Sequence, residues 1–179
     1  MAIADELEPL IRTVPDFPKS GIQFRDITTL LASGPGLART VDALADHARQ
    51  APVDAVAGME ARGFIFGTAL AIALGVGFIP LRKAGKLPVA TIGEDYALEY
   101  GTARLELDPT LITPGMRVLM ADDLLATGGT AAAGAKLLRR AGAEVDRALF
   151  VIDLPELGGG QVLAEAGVTA TALISYQGH

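Results

Sequence analysis

Apolar residues along the chain fall into short runs separated by longer amphipathic stretches. Val53–Gly58, Val76–Leu81, Val118–Ala121, Ala148–Leu154 and Ala170–Ser175 are compact apolar blocks bounded by turn formers or polar residues, which predicts buried strands. Leu37–Gln50, Phe64–Leu74, Thr130–Ala141 and Gly160–Glu165 carry helical spacing instead. In the third of these, Thr127 or Thr130 stands where a cap is needed, Leu137 and Leu138 face a core, and Gly142 is a natural stop. Alternation of this kind predicts an α/β fold with a mostly parallel central sheet flanked by helices. Ligands in such sheets collect at the carboxyl ends of the strands.

Two segments break the alternation. Residues 14–36, "VPDFPKSGIQFRDITTLLASGPG", are rich in proline, glycine and hydroxyl residues, and predict an irregular N-terminal lobe. A small hood spanning 1–36 is therefore expected beside an α/β core spanning 37–179, within a single domain of 179 residues. Residues 82–101, "RKAGKLPVATIGEDYALEYG", are polar, mixed in charge and long for a connection. A lid is the functional expectation, and its "ATIGEDYALEYG" part can equally form a solvent-exposed hairpin.

Residues 63–81 carry no charge, and their length approaches that of a bilayer span. Gly75, Gly77 and Pro80 interrupt the run. A helix to Leu74 followed by a buried strand accounts for it without a membrane.

Composition narrows the chemistry. Half the residues are hydrophobic, and the net charge of −6 argues against a nucleic-acid surface. With no cysteine, disulfides, thiolate metal sites and cysteine nucleophiles are excluded. The acidic start "MAIADELEPLIRTVPDFP" has no secretory pattern, so a cytoplasmic setting is expected. His47 sits in a helical stretch and His179 is the last residue, which gives a Ser-His-Asp arrangement no support.

The stretch "VLMADDLLATGGTAAAG", residues 118–134, holds the sharpest signal. A strand, a glycine-rich turn and a helix N-terminus together gather free N–H groups suited to an anion. Two carboxylates, Asp122 and Asp123, stand beside that turn. Next to a bound phosphate each would repel by about 1 kcal/mol at 4 Å in bulk water, and by more in a cleft. They make sense facing another part of the same ligand. Carboxylates accept hydrogen bonds, so they suit vicinal hydroxyls or a hydrated divalent cation. A phosphate next to a diol is a sugar phosphate. A second candidate anion loop, "GMEARGFIFG" at 58–67, puts Arg62 in a turn, and Arg82, Lys83 and Lys86 follow the next strand. A sugar carrying a 5-phosphate and a 1-pyrophosphate would use both loops.

These residues resemble a known family. "VLMADDLLATGGT" is similar to the phosphoribosyl pyrophosphate (PRPP) motif of type I phosphoribosyltransferases. "PDFPKSGIQFRDIT", "GMEARGFIFG", "IPLRKAGKLP" and "YALEYGT" follow the order and spacing of that family's adenine phosphoribosyltransferases. The resemblance spans the whole chain. One departure is Ala61, where the family commonly has serine.

The resemblance implies transfer of the 5-phosphoribosyl group from PRPP to adenine, giving AMP and pyrophosphate, with Mg²⁺ held mainly by PRPP. It implies that Asp122 and Asp123 take the ribose 2- and 3-hydroxyls. Ala126, Thr127, Gly128, Gly129 and Thr130 would wrap the 5-phosphate, and Arg62, Arg82, Lys83 and Lys86 would meet the pyrophosphate. Phe24 is a stacking partner for the purine, with Leu124 or Leu125 opposite, though Phe24 is equally a core aromatic of the lobe. Backbone groups around Gln23 and Arg25 would read the purine edge. Glu99 is the residue implied for proton transfer, Tyr100 joins the substrate contacts, and a homodimer is expected. A 6-oxo purine in place of adenine, or a PRPP-binding regulator on the same fold, remain open alternatives on sequence alone.

Overall fold

The computed structural model describes residues 2–97 and 101–178. Its centre is a seven-stranded sheet in the order β5-β6-β4-β3-β7-β8-β9, formed by β3 (Ala55–Met59), β4 (Gly77–Lys83), β5 (Ile92–Ala97), β6 (Thr102–Leu107), β7 (Val118–Leu125), β8 (Arg147–Asp153) and β9 (Thr169–Ser175). The β4–β3–β7–β8–β9 block is parallel, while β6 and β5 run antiparallel at the β4 edge.

Strand periodicity splits the core in two. Ala57, Met120 and Phe150 point to one face, where Ala135, Leu137 and Leu138 of α5 (Gly129–Arg140) and Leu163 of α6 (Gly159–Glu165) cover them. Val56, Leu119 and Val151 point to the other, under Leu44 of α3 (Gly34–Ala48) and Phe66 and Leu70 of α4 (Gly63–Leu74). Central strands buried on both faces must be apolar at successive positions, which is why they were legible as uninterrupted runs. Helix α4 stops at Gly75 as its sequence implied, and no helix among the described residues is long and apolar enough to cross a membrane.

The N-terminal lobe is more regular than its composition suggests. After α1 (Ile3–Leu7), strands β1 (Arg12–Pro15) and β2 (Gln23–Asp26) form an antiparallel pair, with Val14 opposite Phe24. Helix α2 (Thr28–Ala32) follows, and α3 already begins at Gly34, capped by the Ser33 side chain, which accepts from Gly36 N–H at 3.1 Å. Four-residue strands are too short to show periodicity, and a proline at the end of an edge strand gives up no ladder bond.

The 82–101 segment also departs from expectation. Arg82 and Lys83 lie within β4, paired with Glu106 and Leu105 of β6. The hairpin β5–β6 is an extension of the main sheet, and Leu105 and Leu107 are buried beneath it. The alternation in "TARLEL" carried that strand, beyond the end assigned to the lid. The base of the hairpin is tied to α5, because Glu94 accepts from Lys136 and, at 2.8 Å, from Arg140.

Asp26 closes the hood. Its carboxylate accepts from Thr28 N–H at 2.9 Å and Thr28 Oγ1 at 2.7 Å, and pairs with Arg12. These partners, Thr28 N–H foremost, hold its pKa down to about 2. A depressed carboxylate stabilises the fold above the unfolded value of about 4 and loses that contribution as pH falls through the folded value. The Tm difference between wild type and Asp26→Asn should therefore be present at neutral pH and close between about pH 4 and pH 2. A difference independent of pH would rule out the carboxylate's charge as its source.

Candidate active site

At the carboxyl ends of β3, β4 and β7 lies a cleft of about 390 Å³, lined by Glu60, Arg62, Lys83, Asp122, Asp123 and the 126–130 loop among others. Strand β7 runs to Leu125, so both aspartates and Leu124 belong to the strand, not to a turn after it. Pairing of Asp122 with Phe150 and of Leu124 with Ile152 of β8 fixes their positions.

The paired acids sit in different surroundings. Asp123 is buried and forms an ion pair with Arg62, which reaches across from the turn before α4. Asp122 Oδ1 accepts from Asp123 N–H at 2.8 Å. Burial, then the charge of Asp123, push the Asp122 carboxyl well above the usual carboxylate range. Gly63 makes this arrangement possible: a Cβ there would stand 2.8 Å from Asp122 Oδ1 and 3.1 Å from Ala121 O.

The loop after β7 leads from a strand into a helix N-terminus, as its sequence implied, with one correction. Neither Thr127 nor Thr130 caps α5; the N-cap is Gly128, in the left-handed region at φ 79°, with no side-chain bond. A β-carbon is disfavoured at that φ, which explains the glycine. The first-turn N–H groups of α5 are left without intrahelical partners, the cost that an anion offsets. The threonines, not needed for capping, line the cleft.

Of the four cations, the structure brings two into the cleft, Arg62 and Lys83. Arg82 instead turns to Glu60 at 3.2 Å and to the Lys86 carbonyl at 3.1 Å, and Lys86 is exposed outside the lining. Glu60 was missed by the sequence reading. It accepts from Lys83 N–H at 2.9 Å, and that bond, with Arg82, lowers its pKa. Its position inside "GMEARG", beside Arg62, was the available signal.

The hood supplies a second cavity of about 380 Å³, lined by Val14, Phe17, Phe24, Arg25, Asp26, Ile27, Thr28 and Arg62. Phe24 meets Phe17 edge-on at 5.1 Å, and is half-buried against this space instead of filling the lobe's core. Arg25 donates to Thr13 Oγ1 at 2.6 Å, and its guanidinium lies 4.2 Å from the centre of the Tyr176 ring. Tyr176 is a second residue missed in the sequence and, unlike Glu60, had no advance signal, since it follows β9, far away in sequence. Leu124 lines the charged cleft, as does Leu125, although Leu125 is mostly buried. Glu99 and Tyr100 lie outside the described residues. Arg62 borders both spaces, so the apolar cavity and the charged cleft adjoin at one side chain.

Among the described residues no group of three His, Asp or Glu side chains is placed to hold a metal on its own. Two adjacent carboxylates still suit Mg²⁺ that brings its ligands with a phosphorylated substrate, the usual mode for that ion.

Comparison with known proteins agrees with this geometry. The phosphoribosyl transferase domain profile matches residues 28–158. The adenine phosphoribosyltransferase of Erythrobacter litoralis is 64% identical over 98% of this chain and 98% of its own. The crystal structure of adenine phosphoribosyltransferase from Thermoanaerobacter pseudethanolicus superposes with a TM-score of 0.92 at 44% identity, covering 97% of this chain and 99% of that one. The Saccharomyces cerevisiae enzyme, solved with adenine and an imino-altritol 1,6-bisphosphate, gives 0.91 at 36% identity, with 96% and 98% covered. A charged cleft joined to an apolar slot, on a chain this similar to those enzymes throughout its length, belongs to the adenine phosphoribosyltransferase family of the phosphoribosyltransferases.

Proposed function

We infer that the chain transfers the 5-phosphoribosyl group of PRPP to adenine, releasing pyrophosphate and forming AMP. The observation that carries this reading is the meeting of two cavities at Arg62, one apolar and one holding paired carboxylates beside an anion loop. The purine lies in the hood cavity with Phe24 on one face and Leu124 towards the other, its edge read by the backbone around Arg25. Asp122 and Asp123 take the ribose diol, and the N–H groups and hydroxyls of the Ala126–Thr130 loop take the 5-phosphate.

Cleavage of the C1–pyrophosphate bond leaves positive charge on the ribose ring and negative charge on the leaving group. Arg62 and Lys83 stabilise the leaving group, and Arg82 and Lys86, just outside the cleft, add to the positive field there. When bound with PRPP, Mg²⁺ would add positive charge beside the pyrophosphate, to the same end as Arg62 and Lys83. Asp122 and Asp123, under the ring, favour its developing charge. Glu99 exchanges a proton with the purine nitrogen that does not attack, and Tyr100 is a further substrate contact.

Helix α4 is apolar on all sides, and its Ile72 is 76% exposed and Ile65 41% exposed. A second copy of the chain covering that face would give a homodimer, and Ile72→Glu should then shift sedimentation toward monomer. A cytoplasmic location suits a cysteine-free enzyme acting on these substrates.

The deciding test is a base panel with PRPP and Mg²⁺. Product from adenine alone is expected; product from hypoxanthine, guanine or xanthine would overturn the reading of the hood, and none from any base would overturn transfer itself. Glu99→Gln should lower kcat by about 10²-fold with PRPP binding retained, and an unchanged kcat would remove its role. Asp122→Asn separates function from stability. A carboxyl with a raised pKa binds its proton better folded than unfolded, so its ionisation weakens the fold as pH rises above about 4. The variant keeps an acceptor for Asp123 N–H, so its Tm should exceed wild type by a few degrees at pH 7, and the gain should vanish near about pH 4. PRPP affinity should fall by about tenfold or more.

A further inference from the structure

We propose that Gly159, at the first position of α6, is a positioning residue that sets the conformation of the phosphate loop. The inference rests on reading Ala126–Thr130 as that loop. The two segments are held together by backbone contact. A Cβ on Gly128 would stand 2.7 Å from Gly159 O and 3.0 Å from Gly159 Cα. In the other direction, a Cβ on Gly159 would run into Ala126 O and stand 2.8 Å from Leu125 Cδ1 and 3.0 Å from Gly128 N. The approach to Gly159 is itself fixed. Leu154 N–H donates to Leu125 O at 2.9 Å, Leu157 N–H to Leu154 O at 3.0 Å, and Gly158 N–H to Pro155 O at 3.0 Å.

The run Gly158-Gly159-Gly160 is therefore not one flexible tract. Gly158 has φ 76°, a backbone requirement, and Gly159 is needed for the contact. At Gly160 an added Cβ would meet nothing within 4 Å among the described residues.

The consequence for ligand binding follows from one peptide plane. Ala126 O belongs to the same peptide as Thr127 N–H, and Gly128 N is the next amide along the chain. A methyl group at Gly159 cannot be accommodated by a side-chain rotation, because the atoms opposing it include backbone. It must turn the Ala126–Thr127 peptide or push α6 away. Either movement re-aims N–H groups that a 5-phosphate needs, and leaves the hood cavity untouched.

The test compares Gly159→Ala with Gly160→Ala in steady-state kinetics. Gly159→Ala should raise the KM for PRPP by about tenfold or more, with the KM for adenine and kcat at saturating PRPP within about threefold of wild type. Gly160→Ala should match wild type. A wild-type KM for PRPP in Gly159→Ala, or an equal rise in Gly160→Ala, would overturn the assignment. Hydrogen exchange on the wild-type protein gives a reading that does not depend on the variant folding. Saturating ribose 5-phosphate with Mg²⁺ should protect the amides of both 126–130 and 157–161. Protection of 126–130 alone would overturn the role of Gly159 while the phosphate loop stands. No protection at 126–130 would remove the phosphate-loop reading, and the inference with it.

Discussion

Two carboxylates side by side at the end of a buried strand are the constraint around which this protein is arranged. Burial of Asp122 and the neighbouring charge of Asp123 both oppose its ionisation. The structure manages this with Arg62, which pairs with Asp123, and with Asp123 N–H, which donates to Asp122. Gly63 leaves the space that a side chain would take from Asp122. What remains is one acid paired with a cation and one whose ionisation burial opposes.

Arg62 has two duties because the fold gives it two neighbours. It sits at the turn between β3 and α4, opposite Asp123 on β7, and the hood cavity reaches it from the other side. Bond formation between a flat base and a sugar carbon needs both held at contact distance and water kept away. Two cavities meeting at a single guanidinium provide the adjacency. The hood is in turn anchored to the core through Arg25 over Tyr176.

Much of this was legible because local physics and tertiary demand coincide. Strands β3, β7 and β8 are buried on both faces, so their apolar runs were visible without context. The turn after β7 needed N–H groups and small residues in sequence, and "ATGGT" states that directly. The hood hairpin and the 102–107 strand were hidden. The first is too short to show a period, and the second follows the polar 82–101 segment, its place between β5 and β4 set by pairings that no local pattern marks.

By itself, then, the sequence determined the α/β alternation, the pairing of acids with an anion loop, and the family. These depend on residues close together in the chain, whose chemistry needs no distant partner to be read. Only the tertiary structure decided that Arg62 holds Asp123 while Arg82 turns to Glu60, that Tyr176 supports Arg25, and that Gly159 lies against the loop before α5. Each of those contacts joins segments tens of residues apart. A charge or a glycine has no marked partner until the sheet order brings one within a few ångströms.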